Sequence, residues 1–529
     1  MRYGVVASIG IAAATLAAPE ALAQKPGGVL RSYNSSNPPS ASIHEEATIA
    51  TTMPFSAVFN NLLAFDPSKP RNGFDTIVPD LAESWQWDAS RTRFTVTLRR
   101  GVKWHDGKPF TAKDVQCTWH RLIGKDPDEF RKNPRSIWWR NVTEVALNGD
   151  FEATFVLSSP QASLPVLLAT NLSPVYPCHV PLKDMRTKPI GTGPFKFVAF
   201  DSNKTITLEK NKEYWKPGRP YLDGIQFSII GSRSTRTLAF AANEFDLTFV
   251  ADITPPMVAD VLARSPKATC ELVPTNVSTN LLVNRDRAPF NDEKLRKAMT
   301  LALDRDAMNS ILELGKAGIG GAMLASPQGR WGMPKDMLAS LPGYAGTAAS
   351  RLAAARKIME DLGYGPTKRL KVKVSTRDFT AFKDPAVLLV DQLNKIYFDA
   401  ELEIVESSVW YNRAVRRDYS VALNLTGSGV DDPDVNLVEG YSCKSERNYT
   451  GYCNPRVEKL LAEQSQEADQ GRREQLVWQI EKILAEDAAR PIILHTVAAT
   501  CWHPHVKGHV QQQNSIYNNW RFENVWLDK

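Results

Sequence analysis

A chain of 529 residues exceeds what one hydrophobic core usually serves, so two or more lobes are expected. Hydrophobic residues make up 43% and charged residues 23%, an ordinary globular composition rather than a disordered or fibrous one. The net charge of +6 is spread along the chain with no lysine/arginine block, which argues against a nucleic-acid arm or an anionic-membrane anchor.

Residues 1–23 open with Arg2, run through an apolar Ala-rich stretch and end in the small-x-small site Ala21-Leu22-Ala23. This is the layout of a secretory signal peptide cleaved before Gln24, and the run is too short and too rich in Ala and Gly for a spanning helix. No cysteine follows the cleavage site, so a lipid anchor is not expected and the mature protein is read as exported and soluble. From Val29 to about Pro274 strands dominate. RFTVTLR alternates Phe94, Val96 and Leu98 with polar residues; FEATFVL and GIQFSII repeat the pattern, the period-two signature of half-buried strands. From about Asn291 the period changes. NDEKLRKAMTLALDRDAM places Leu295, Ala298, Met299 and Ala302 on one helical face, with Asn291 as the expected cap. SRLAAARKIMEDLGYGP reads as a helix stopped by Gly363 and Pro366. LKVKVST, DPAVLLVDQLNKIY and ELEIVE read as strand, helix and strand, the unit of an α/β layer. Amphipathic helices over 457–466 and 473–486 and the strand PIILHT follow.

The six cysteines, Cys117, Cys178, Cys270, Cys443, Cys453 and Cys501, are an even count in an oxidising compartment, which favours disulfides over metal ligation. Only Cys443 and Cys453 are near enough in sequence for a local bridge; the other four leave their pairing open.

GVKWHDGKPF, residues 101–110, sets His105 beside Asp106. A catalytic pair needs a nucleophile or metal to act on, whereas Asp-Gly after an alternating strand is a strong turn signal, because glycine tolerates the positive φ a tight turn requires. The pair is read as a hairpin corner leading to a helix entered through Thr111. No HExxH, GxSxG or P-loop is present, and the Gly-rich GTGPF (191–195) and GKAGIGGA (315–322) lack the strand–loop–helix setting of a phosphate cradle. CWHPHVKGH carries His503, His505 and His509, weak candidates for binding Ni²⁺ or another divalent metal. No cofactor is expected.

VPDLAESWQWDASRTRFTVTLRRGVKWHDGKPFTAKDV resembles the signature stretch of the extracytoplasmic solute-binding proteins of ATP-binding-cassette importers, in their peptide/nickel-binding family 5. GTGPFKFV, NKEYWKPGRPYLDGI, VNRDRAPFNDEKLRKAMTLALDR, NPRVEKLL and EQLVWQIEKILAEDAARPIIL extend the likeness over the mature chain. The resemblance implies a mixed α/β, type II-like two-lobe clamshell with an extra β-rich subdomain. Lobe I would comprise 24–276 plus 496–529 and lobe II 277–495. It implies a periplasmic binding protein, not an enzyme, a monomer that delivers a solute to inner-membrane permease subunits. Cys270 and Cys501 would then bridge the two crossover segments.

Around LNLTGSGVDDPDVNLVEGYSC the chain is most similar to the dipeptide-binding branch. Placement on Asp431-Asp432-Pro433 puts Gly429 where that branch carries an aspartate for the peptide's α-amino group. Arg377, in VKVSTRDF, matches its carboxylate-binding arginine, a fork suited to two parallel hydrogen bonds. Asp431 or Asp432 is then the candidate replacement charge. Thr426, Gly427 and Ser428 would line the cleft, with Tyr33, Asn34, His44 and Glu45 facing it from lobe I. The solute expected is a peptide or another small carboxylate-bearing molecule. Alternatives are a nickel or metal chelate, an opine or sugar conjugate, and, in a different class, a secreted hydrolase using His105 and Asp106.

Overall fold

The computed structural model describes residues 24–46, 48–250 and 252–529, the side chain of Ser408 excepted; the expected signal peptide lies outside them. Two four-stranded sheets occupy the first half of the chain. One has the order Val29–Asn34, Gly224–Ile229, Thr205–Lys210, Phe195–Asp201; the other, wholly antiparallel, Ala82–Trp87, Arg93–Leu98, Glu152–Leu157, Val142–Leu147. Helix Ala112–Leu122 packs on the second sheet, entered where Thr111 N–H donates to Asp114 Oδ2 at 3.0 Å. The inward residues of these strands, among them Phe94, Val96 and Phe155, are fully buried, as their alternation requires.

The third sheet is mixed and has five strands, in the order Phe398–Val405, Leu370–Arg377, Val421–Gly427, Thr269–Val283, Ile492–Trp502. The first three run parallel and the last two antiparallel to their neighbours. Helix Thr380–Asn394 supplies the parallel crossover between two of them. The stretch expected as one helix over 291–308 is two, Glu293–Leu301 and Arg305–Glu313, because Asp304 starts the second by accepting from Ala307 N–H at 3.1 Å. The first is capped by Asp292 rather than Asn291, its Oδ1 taking Lys294 N–H at 2.7 Å.

Thr269–Val283 and Ile492–Trp502 connect the halves. Their outer parts pair as Cys270↔Cys501 and Leu272↔Ala499, and their inner parts as Ser278↔His495 and Thr279↔Leu494, with a register shift between Pro274 and Ser278. Proline has no N–H for the ladder, so a break there is its natural place. The apolar clusters part along the same line. One holds residues from Leu30 to Val277 and Ala499 to Leu527, with Val430 and Val435; another holds Leu281, Val283, Leu423, Ile493 and Leu494. Three disulfides join the described cysteines: Cys443–Cys453, Cys270–Cys501 and Cys117–Cys178, with Cα separations of 4.8, 4.1 and 5.6 Å. No described helix is long and apolar enough to cross a membrane.

Candidate ligand-binding cleft

Both side chains of the His105–Asp106 corner are bonded within the protein. The His105 Nε2 lies 3.0 Å from Gly193 O, and its Nδ1 accepts from Gly191 N–H at 3.3 Å, a pairing that suits the neutral ring protonated on Nε2. Burial lowers its pKa to about 4, while Asp106 is turned to His179 Nε2 at 2.8 Å. Both partners of the ring belong to GTGPF. The glycines of that loop are needed because Cβ atoms on Gly191 and Gly193 would lie 1.9 Å from Val58 O and 2.4 Å from Val58 C.

A cavity of about 610 Å³ opens between the two halves of the chain. From the first half and the tail it is lined by Ser35, Arg233, Phe249, Met257, Ile516 and Tyr517; from the second by Leu312, Glu313, Arg377, Phe382, Tyr411 and Gly427. Thr496, Val497 and Ala498 of the crossing strand also line it. The wall is largely apolar with a few charges, the make-up of a small-molecule site.

Arg377 ends the strand Leu370–Arg377, paired with Val405. Its Nε donates to Ser407 Oγ at 2.9 Å, and Ser407 Oγ donates in turn to Asp378 O at 3.1 Å. The guanidinium carbon lies 5.6, 5.5 and 5.9 Å from the ring centres of Phe379, Phe382 and Tyr411, which hold it by cation–π attraction. No ion pair reaches it among the described residues, so its charge is positioned yet not neutralised.

Arg233 stands on the other half with a different arrangement. Its Nε is 3.7 Å from Asp252 Oδ1, but Arg236 already holds Asp252 with bonds of 2.9 and 2.5 Å, and Tyr33 OH donates to the same carboxylate at 2.9 Å. The Arg233 Nε and Nη2 are buried without a hydrogen-bond partner. Glu313, 7% exposed, likewise has an unpartnered Oε2, and burial pushes its carboxyl up to about 8. Nothing in the sequence distinguishes Arg233 and Glu313 from solvated residues of amphipathic helices.

Of the other residues singled out from sequence, Gly427 lines the cavity, beside Tyr517. Thr426 Oγ1 and Ser428 Oγ are bound internally, to Arg490 and to Val430 O. Gly429 lies among Leu172, Thr170 and Trp138, where a Cβ would sit 2.7 Å from Leu172 Cδ1. Asp432 is held by Arg473 in two bonds of 2.9 Å, and Asp431 Oδ2 accepts Arg330 N–H at 2.8 Å; neither lines the cavity. Tyr33, Asn34, His44 and Glu45 are buried in the first half. Asn34 Nδ2 donates to Ala50 O at 2.7 Å, His44 Nε2 lies 2.8 Å from Pro174 O, and Glu45 takes Arg186 at 2.7 and 2.9 Å. Ser35 and Ser36, directly after Asn34, line the cavity instead. Of the tail histidines, His503 and His505 stack with ring centres 5.8 Å apart, but each is bonded elsewhere. His505 pairs with Asp246 at 2.7 Å, His503 Nε2 lies 3.0 Å from Phe240 O, and His509 packs on Trp502; among the described residues no group of three or more metal-ligating side chains occurs.

Two halves joined by crossing strands, with a charged and apolar cavity between them, define a binding protein of the two-lobed class. The family model for bacterial extracellular solute-binding proteins, family 5 middle, matches residues 76–448, and the chain belongs to that family. It is 24% identical over 493 residues to the probable di/tripeptide-binding protein 5 of Pseudomonas aeruginosa, covering 85% of this chain and 87% of that one. It is 26% identical over 467 residues to the oligopeptide-binding protein AppA of Bacillus subtilis, covering 85% and 83%. Among solved structures, the periplasmic binding protein DppA of Helicobacter pylori in complex with the peptide STSA superposes with a TM-score of 0.84 at 23% identity, covering 96% of this chain and 99% of that one.

Proposed function

We propose that this protein captures a short peptide in the cleft and delivers it to an ATP-binding-cassette permease, with Arg377 binding the peptide's carboxylate. The observation that carries this reading is a guanidinium fixed on the cavity wall by three aromatic rings and Ser407, with no carboxylate of its own. Arginine's planar fork makes two parallel charge-assisted bonds to such a group. The volume of 610 Å³ falls within the roughly 300–1,000 Å³ usual for small ligands and suits a di- or tripeptide with apolar side chains. The relatives' names, which specify di- and tripeptides or oligopeptides, support the same class. Arg233 adds donors for the ligand's carbonyl oxygens. The lobes divide at 276/277 and 495/496, and closure bends the crossing strands at the break between Pro274 and Ser278. The chain is exported by its cleaved leader, and His105 holds the GTGPF loop rather than acting in catalysis.

A thermal-shift screen of di- and tripeptides tests this. Ligand at a hundred times Kd stabilises the folded state by about 2.7 kcal/mol, which raises Tm visibly, and Arg377→Ala abolishes the response. Stabilisation by nickel chelates alone, or a full response in the variant, contradicts it.

A further inference from the structure

Glu313 ends the helix Arg305–Glu313, where Leu314 turns the chain with a φ of 50°. Its side chain lines the cavity although the residue is only 7% exposed. Oε2 accepts no hydrogen bond, and no ion pair reaches the carboxylate among the described residues. Buried carboxylates are ordinarily paired or multiply hydrogen-bonded, because an isolated charge loses its hydration without compensation. Desolvation accordingly raises its pKa to about 8, with only the backbone N–H of Val497 opposing.

The titratable and charged groups sharing the cavity are Arg233, Arg377, Asp384, Tyr411 and Tyr517. Neither arginine forms an ion pair with Glu313: Arg377 rests against its three rings, and the nearest carboxylate to Arg233 is Asp252. Asp384 is exposed, so water already solvates its charge and a ligand gains little by replacing it. Gly429 offers no carboxylate and does not line the cavity; it lies beside Leu172, Thr170 and Trp138. Glu313 is thus the buried carboxyl in this cavity that still lacks a cation.

We propose that Glu313 receives the α-ammonium group of the bound peptide, so that the zwitterion is held between Glu313 and Arg377. This rests on the peptide reading of the cleft and adds a requirement for a free amine. An ammonium brings three donors and a positive charge to the unpartnered oxygen; an N-acetylated peptide brings neither.

The test is calorimetric titration of the mature protein with Ala-Leu and with N-acetyl-Ala-Leu. Wild type should prefer the free amine by roughly tenfold or more, and Glu313→Gln should bind the two alike, since truncating a buried charge pair removes most of its selectivity. Asp384→Asn should keep the preference. A second measurement uses no variant. In buffers of different ionisation enthalpy, Ala-Leu binding at pH 7 should release close to one proton from Glu313, and the acetylated peptide none. Equal binding of both peptides by wild type, a preference surviving in Glu313→Gln, or no proton release overturns the assignment alone. Failure of both peptides and of every other short peptide to bind overturns the peptide reading and the assignment together.

Discussion

Burying the Glu313 carboxyl without a partner leaves a pH signature in the empty protein. The folded state holds the proton up to about pH 8, whereas the unfolded chain loses it near the ordinary value of 4.5. The folded form is therefore unpenalised below pH 4.5 and loses stability as the pH rises from there to 8, beyond which the whole penalty is present. Glu313→Gln has no proton to lose. Urea unfolding should find the variant more stable than wild type at pH 9, on the order of 4–5 kcal/mol, and equal to it only below pH 4.5. A constant difference across that range would show that Glu313 is hydrated or paired. Single residues differ in how far sequence discloses them. Arg377 was legible because it closes an alternating strand in a stretch that resembles relatives. Glu313 and Arg233 were not, because a charged residue near a helix end has the same pattern whether it meets water or a cavity. Gly429 was expected to mark the place of a missing carboxylate, and its neighbours Leu172, Thr170 and Trp138, far from it in sequence, were not legible.

At the scale of elements, alternation located the strands of the first half well, since a half-buried strand must alternate. The division of the expected 291–308 helix was harder to see, because Asp304 lies within an apolar periodicity and acts as a cap only once the chain bends there. The corner at His105 was legible through Asp-Gly, but its partner loop, GTGPF, is 86 residues distant for the nearer contact and invisible to local pattern. Both ring nitrogens of His105 bond to that loop, so His105→Ala removes two partly buried hydrogen bonds and leaves Gly193 O with one partner fewer. Chemical denaturation should show a loss of about 1–3 kcal/mol, with peptide affinity unchanged in the folded fraction. Loss of binding without loss of stability would give the corner a direct functional part.

Over the whole molecule, the crossing strands, with the Cys270–Cys501 bridge on their outer part, join two halves that also touch directly, Trp138 Nε1 donating to Glu439 at 2.7 Å and Ser163 Oγ to Asp434 at 2.6 Å. The cavity lies where the crossing strands pass, so one ligand touches both halves and the strand between them. Texture along the sequence changes close to the first crossing strand, where strand period gives way to helix period. The cavity's own composition was not disclosed, because its wall is assembled from segments as distant as Ser35 and Tyr517. The central claim, capture of a peptide through its carboxylate, is tested most directly by titrating Ala-Leu and its C-terminal amide into the wild-type protein and Arg377→Ala. The account predicts that wild type binds the free acid at least roughly tenfold more tightly than the amide and that the variant binds both weakly and alike. Equal affinity of wild type for acid and amide would contradict it.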